Sequence, residues 1–330
     1  MKRTIYFKNH PRIIGASSVA GPKESNGSIA KYFEVKLQDD MYGEETFERA
    51  ESRILFTAIK NAIKNANKCE EQIDVIIAGD LLNQIISSTF AVRNFRSGYL
   101  GIYNACANFS ESLILGATLV DGGYQNNVVC ATSSHFSSAE RQYRYPLELG
   151  CTRPPQSQWT VTGAGASVVS VVGDGPKITG ATIGKIIDFG ITDANNMGAA
   201  MAPAACDTIF THLKETGLDP TNYDLIITGD LGTLGSRILK DLLWEKGYDI
   251  EKQHIDCGEL VYNICEQEYQ GGSGAGCSSL VFNSYIYTML KESKYNKVLL
   301  VATGALLSSV STQQGDSIPA IAHAVVIEGV

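Results

Sequence analysis

Spaced by their apolar residues, the helical and extended stretches of this chain follow an order that occurs twice. Residues 47–66, FERAESRILFTAIKNAIKNA, place Ala50, Ile54, Ala58, Ile59 and Ile63 on one face of a helix. The apolar run DVIIAGDL at 74–81 follows and ends in a Gly-Asp turn, the pattern of a buried strand. A second helix is expected over about 106–119, opened by Cys106 in NACANFSESL, and it leads into the strand NNVVCAT at 126–132. GASVVSVVG at 165–173 closes this set.

The order then repeats. DLIITGDL at 224–231 matches DVIIAGDL at six of eight positions, at an offset of 150. Before it, CDTIFTHLKET at about 206–216 reads as a helix ended by Gly217 and the Asp219-Pro220 turn. After it, residues 271–293 read as a helix, followed by the strands NKVLLVATGA (296–305) and AIAHAVVIEG (320–329). Strand, helix, strand in each half favours parallel pairing with right-handed crossovers. The expected fold class is therefore α/β, with two halves, 1–175 and 176–330, related by a pseudo-twofold and their sheets layered between helices. Ligands of such sheets gather at the carboxyl ends of the strands, here 79–84, 132–135, 229–232 and 303–307.

Composition narrows the function. A chain that is 44% hydrophobic and 19% charged is globular. A net charge of −8 without any long basic run excludes nucleic acid as a partner. The eight cysteines form no C-x-x-C pair and have no histidine at zinc-finger spacing, so reduced thiols are expected, with no metal and no cofactor. The N-terminal MKRTIYFKNHPRIIG carries no signal-peptide core, and no apolar run approaches bilayer length. Membrane association would go through a partner or a surface patch.

Cys106 stands out chemically, because a thiol at the positive end of a helix is favoured as thiolate. A duplicated strand–helix unit with a cysteine opening a helix of its first half resembles the thiolase and ketoacyl-synthase superfamily over nearly the whole chain. In that superfamily the cysteine accepts the acyl group, and a histidine and an asparagine from the second half stabilise charge on the thioester oxygen. Here the matching stretches read TGDLGTLGSRI (228–238) and GGSGAGCSSL (271–280), with neither residue. His212, His254 and His323 lie on other elements, and the C-terminal segment 304–320 lacks the second cysteine of thiolases. Cys277 falls within the core helix instead. A non-catalytic protein is expected.

A narrower set of strings resembles the stage V sporulation protein AD family: AGPKE (20–24), AGDLLNQ (78–84), ATSSH (131–135), AERQYRYP (139–146), GITDANNMGAAMAPAA (190–205), GGSG (271–274) and VATGALLS (301–308). That resemblance implies a thiolase-like fold, homodimeric, that binds dipicolinic acid (pyridine-2,6-dicarboxylate) or its calcium complex. It also implies a part in moving that compound into the developing spore alongside membrane proteins of the same operon. The location it implies is cytoplasmic, held peripherally at the forespore or spore inner membrane through those partners.

A planar dicarboxylate needs donors or cations and a flat apolar wall. Cys106 fits as the pocket floor, its helix N-terminus offering N–H groups. Ser133, Ser134 and His135 end a strand and can project into the same mouth, His135 donating to a carboxylate. Arg141 reads as a salt-bridge face with Glu140, whereas Arg144, between Tyr143 and Tyr145, leans towards the pocket. Asp80 and Asn83 follow the first repeat strand. Because Asp230 repeats Asp80, a turn-capping role is the safer reading for Asp80, and one carboxylate is thin support for calcium. Gly304 and Ala305 are placed to turn backbone N–H groups to the ligand. Two competing readings stand beside this one. One is a cysteine-dependent acyltransferase or thioesterase using Cys106 with His135 as base; the other is a scaffold that docks on membrane partners, its pocket acting as a sensor.

Overall fold

The 150-residue repeat is built as two five-stranded sheets of identical strand order, hydrogen-bonded into one continuous sheet that the short strands Thr4–Tyr6 and Val35–Lys36 bring to twelve strands. The first contains β1 (Arg12–Ala20), β2 (Val75–Gly79), β3 (Gly98–Gly101), β4 (Asn127–Ser134) and β5 (Gly163–Ser170), arranged β3-β2-β4-β5-β1. The second contains β6 (Lys177–Thr182), β7 (Leu225–Thr228), β8 (His254–Asp256), β9 (Lys297–Ala305) and β10 (Ala320–Glu328), arranged β8-β7-β9-β10-β6. The two sheets meet edge to edge at the register pair Arg12–Lys177. This computed structural model describes residues 2–143, 152–263 and 269–330.

Parallel pairing covers only part of each sheet. β3, β2 and β4 are parallel, as are β8, β7 and β9, but β5 and β10 run antiparallel to both of their neighbours. A buried apolar run such as GASVVSVVG is the same in either direction, so its periodicity carries no information about strand polarity.

The described helices are α1 (Phe47–Asn65), α2 (Ile86–Val92), α3 (Asn108–Asp121), α4 (Phe136–Tyr143), α5 (Met197–Thr216), α6 (Gly232–Glu245), α7 (Cys257–Val261) and α8 (Ala275–Val281), with a short turn of helix at Ser309–Gln313. From α8 the chain continues through a π-helical stretch, Phe282–Ile286, into Tyr287–Lys291. α3 and α8 lie in the middle layer, where Phe109 and Phe282 pack ring to ring at 5.5 Å. α1 covers one outer face through Ile54, Ala58, Ile59 and Ile63, and α5 with α6 covers the other. The layers thus run helix, sheet, helix, sheet, helix.

Three helix starts differ from expectation. α8 begins at Ala275, not 271, because Gly272–Ser273 pair as a short strand with Trp159–Thr160. α5 begins at Met197, not near 206, with Asn196 accepting the Ala199 N–H at its start. Its alanine-rich first turns are buried almost all round, so they lack the polar face that would reveal a helical period, and Pro203 reads as a breaker. α3 begins at Asn108, not at Cys106, because Ala105 takes a left-handed φ of 51° that interrupts the helix three residues upstream.

Candidate functional site

The loop between β3 and α3 presents Cys106 through a local hydrogen-bond web. The Asn104 N–H donates to Asn108 Oδ1 (2.5 Å), Asn108 Nδ2 donates to the Asp80 carbonyl (3.2 Å), and Asn104 Nδ2 donates to Glu111 (2.9 Å). These bonds hold Ala105 in its strained conformation, a feature that clusters at functional sites. From the other half, β9 approaches the loop so closely that a Cβ on Gly304 would lie 2.4 Å from the Asn104 carbonyl oxygen. Glycine at 304 is required for the two halves to meet at the sulfur.

Cys106 is buried and lines a small cavity at the carboxyl ends of strands from both halves. Tyr103, Tyr143, Glu140, Thr160 and Ser273 line it as well. Glu140 accepts the Thr160 hydroxyl at 2.7 Å and is paired with Arg153 at 3.4 Å; that guanidinium rests over Phe136 and Trp159, which are stacked on each other.

The group facing the sulfur is Asp230. Its carboxylate accepts hydrogen bonds from the Cys106 thiol, the Thr303 hydroxyl (2.7 Å) and the Gly274 N–H (3.0 Å). Burial nevertheless pushes its pKa up from 3.8 to about 6. A carboxylate at hydrogen-bond distance stabilises the protonated thiol, the opposite of what an imidazolium does for a nucleophilic cysteine. Asp230 occupies the repeat position of Asp80, yet the turn it follows is closed by a third residue: Asp256, at the end of β8, accepts the Leu231 and Gly232 N–H groups at 2.9 Å each.

Of the residues singled out in the sequence, Cys106 and Ala305 line the cavity, and Gly304 packs behind it against the Cys106 loop. Ser133, Ser134 and His135 do not line it. β4 runs on to Ser134, so these side chains alternate into the packed layers and away from the mouth. Ser133 donates to Glu51 (3.0 Å), and Ser134 donates to the Val161 carbonyl (2.6 Å) while accepting the Gly276 N–H (3.1 Å). His135 is buried against Phe47, with Nε2 bonded to the Asp40 carbonyl (2.8 Å) and Nδ1 accepting the Ser137 N–H (3.2 Å). Burial lowers its pKa, and both ring nitrogens are occupied, so it is not placed to act as a base for Cys106. Asp80 caps the turn into α2 by accepting the Leu82 (2.8 Å) and Ser88 (2.7 Å) N–H groups. Asn83 lies in a separate, outer groove, its N–H donating to Gln142. Arg141 pairs with Glu48, not Glu140, and Arg144 lies outside the described residues.

No histidine lines the cavity among the described residues. His212 bonds Thr182 and Tyr223, His254 bonds Thr228, and His323 accepts from Gly184. What sequence reasoning missed is the site role of Asp230, Glu140, Thr160 and Tyr103, and the pairing of Tyr103 with Tyr143, which entered only as a neighbour of Arg144. Asp230 had a signal, since it stands in the stretch where a ketoacyl synthase would supply its histidine; the other four acquire meaning only from the fold.

Comparison with known proteins agrees with this architecture. The family described as stage V sporulation protein AD matches residues 1–328. Stage V sporulation protein AD of Bacillus subtilis is 43% identical over 328 residues, covering 99% of this chain and 97% of the relative. Among solved structures, 3-oxoacyl-[acyl-carrier-protein] synthase III from Aquifex aeolicus is 17% identical, with a TM-score of 0.58 over 96% of this chain and 99% of its own. Cerulenin-bound OleA from Xanthomonas campestris is 14% identical, with a TM-score of 0.61 over 98% of each. At those identities the solved structures speak to the fold, which is thiolase-like. No helix among the described residues is long and apolar enough to cross a membrane. With its duplicated sheets, its cysteine ahead of α3 and a match along its whole length, the chain belongs to the stage V sporulation protein AD family.

Proposed function

We propose that the Cys106 cavity binds dipicolinic acid, free or as its calcium complex, and does not transform it. The observation that carries the non-catalytic part is the carboxylate of Asp230 on the sulfur. Condensing chemistry needs a thiolate and donors for a developing oxyanion, and a carboxylate in that place supplies neither. The ligand itself is suggested by family membership, and the cavity has features that suit it. Tyr103 and Tyr143 offer ring faces, and their hydroxyls, with that of Ser273, offer neutral donors to carboxylates.

On this reading the protein takes part in dipicolinate uptake into the developing spore. It acts as a homodimer in the cytoplasm, held peripherally at the forespore or spore inner membrane by membrane proteins of the same operon. Family membership supports these assignments.

Equilibrium dialysis against dipicolinate, with and without calcium, tests the ligand, with benzene-1,3-dicarboxylate as the control lacking the ring nitrogen. Saturable binding that Cys106→Trp abolishes by filling the cavity is expected. Incubation with acyl thioesters tests the chemistry: the mass of the Cys106 peptide stays unchanged. Acylated Cys106 followed by carbon–carbon bond formation would overturn the reading.

A further inference from the structure

The Cys106 cavity and the groove holding Asn83 share one wall. Tyr103, Tyr143 and Leu307 line both spaces, the smaller one at Cys106 and the wider groove at Asn83. The two tyrosines meet across this wall, hydroxyl to hydroxyl, at 2.8 Å. They come from separate parts of the chain, Tyr103 from the loop before Cys106 and Tyr143 from the end of α4.

We infer that Tyr103 and Tyr143 form a door between the outer groove and the Cys106 cavity, which a ligand enters by parting their mutual hydrogen bond. This rests on the cavity being a binding site, as proposed above, and adds the route into it. Three observations support the door. The backbone beneath Tyr103 is fixed, because Asn104 is tied to Asn108 and Glu111, so opening falls to side-chain rotation. The foot of α4 is tied as well, through Gln142 accepting the Asn83 N–H at 3.0 Å. The outer groove is lined by neutral polar groups, Asn83, Gln142, Ser308 and Ser309, which can receive a polar ligand before it passes inward. Burial raises the pKa of both phenols, so both stay protonated; once parted, the Tyr143 hydroxyl can donate to a ligand carboxylate, and the Tyr103 hydroxyl can exchange its long contact with the Leu81 carbonyl (3.5 Å) for the same role.

The test uses the full chain with Tyr103→Phe, Tyr143→Phe and the double variant, all of which keep the rings. Methyl methanethiosulfonate labels thiols, and the rate at the Cys106 peptide, followed by mass spectrometry, reports access without any assumption about the natural ligand. One neutral hydrogen bond lost from the closed state corresponds to about three- to tenfold faster labelling. Either single variant suffices to break the bond, so the double variant is expected to be no faster than the singles. Dipicolinate association is expected to accelerate by the same factor. Unchanged labelling in both single variants overturns the door, as does a double variant whose acceleration is the product of the two. Accelerated labelling with no dipicolinate binding in any of the proteins supports the door and overturns the ligand assignment instead.

Discussion

Replacing Asp230 with asparagine removes the charge that faces the Cys106 sulfur, and the structure sets the size of the effect. In the unfolded chain this carboxyl has its ordinary pKa of 3.8; in the fold burial raises it to about 6, against the hydrogen bonds from Cys106, Thr303 and Gly274. A folded value above the unfolded one means that the native state binds the extra proton. The group's contribution to stability is therefore complete below about pH 3.8 and is lost as pH climbs through about 6. The loss amounts to about 3 kcal/mol in total, most of it between pH 4 and 7. Asparagine does not titrate there. Whatever constant offset its amide introduces, the stability of Asp230→Asn relative to the parent should rise by about 2–3 kcal/mol across that range. Urea unfolding at intervals from pH 4 to 7 measures both curves. Parallel curves would refute the reasoning, since they would mean that Asp230 is not an ionisable group buried at cost.

Other perturbations separate the scaffold from the cavity. Glu24, fully buried and bonded by the Thr162 N–H and the Tyr262 hydroxyl, has its pKa raised by burial from 4.5 to about 7. The sign is the same, so Glu24→Gln should remove about 3 kcal/mol of stability loss as pH rises from about 4.5 through 7, measured in the same titration. Gly304→Ala should destabilise the protein by about 1–3 kcal/mol, because the new Cβ meets backbone at 2.4 Å; a lowered melting temperature together with altered Cys106 labelling checks it. His135→Gln should cost about 1–3 kcal/mol in urea unfolding through its two lost hydrogen bonds, yet leave dipicolinate affinity in dialysis unchanged.

The sequence made the duplication plain, because DVIIAGDL and DLIITGDL are buried strands in equivalent places and their apolar runs do not depend on context. α1 was equally readable: its expected limits, 47–66, differ by one residue from Phe47–Asn65, since an amphipathic period survives without knowledge of the partner surface. The start of α5 was hidden because a helix buried on nearly every side shows no period. The site was less legible for a different reason. Whether Ser133 and His135 point to the mouth or into the layers is decided by Glu51 and Asp40, more than eighty residues away in sequence. The Asp230–Cys106 contact likewise joins the two halves. Residue type signalled the cysteine, and only the meeting of the halves assigned its partner.

One corner of this fold exists in two versions. After β2, Asp80 holds the turn; after β7 that task belongs to Asp256, and Asp230 is left to turn towards the sulfur. A side chain relieved of holding its own corner can instead tie together β9, the start of α8 and the loop of the other half, through Thr303, Gly274 and Cys106. The same strand-end corner thus serves as a local brace in one half and as a bridge between the halves in the other.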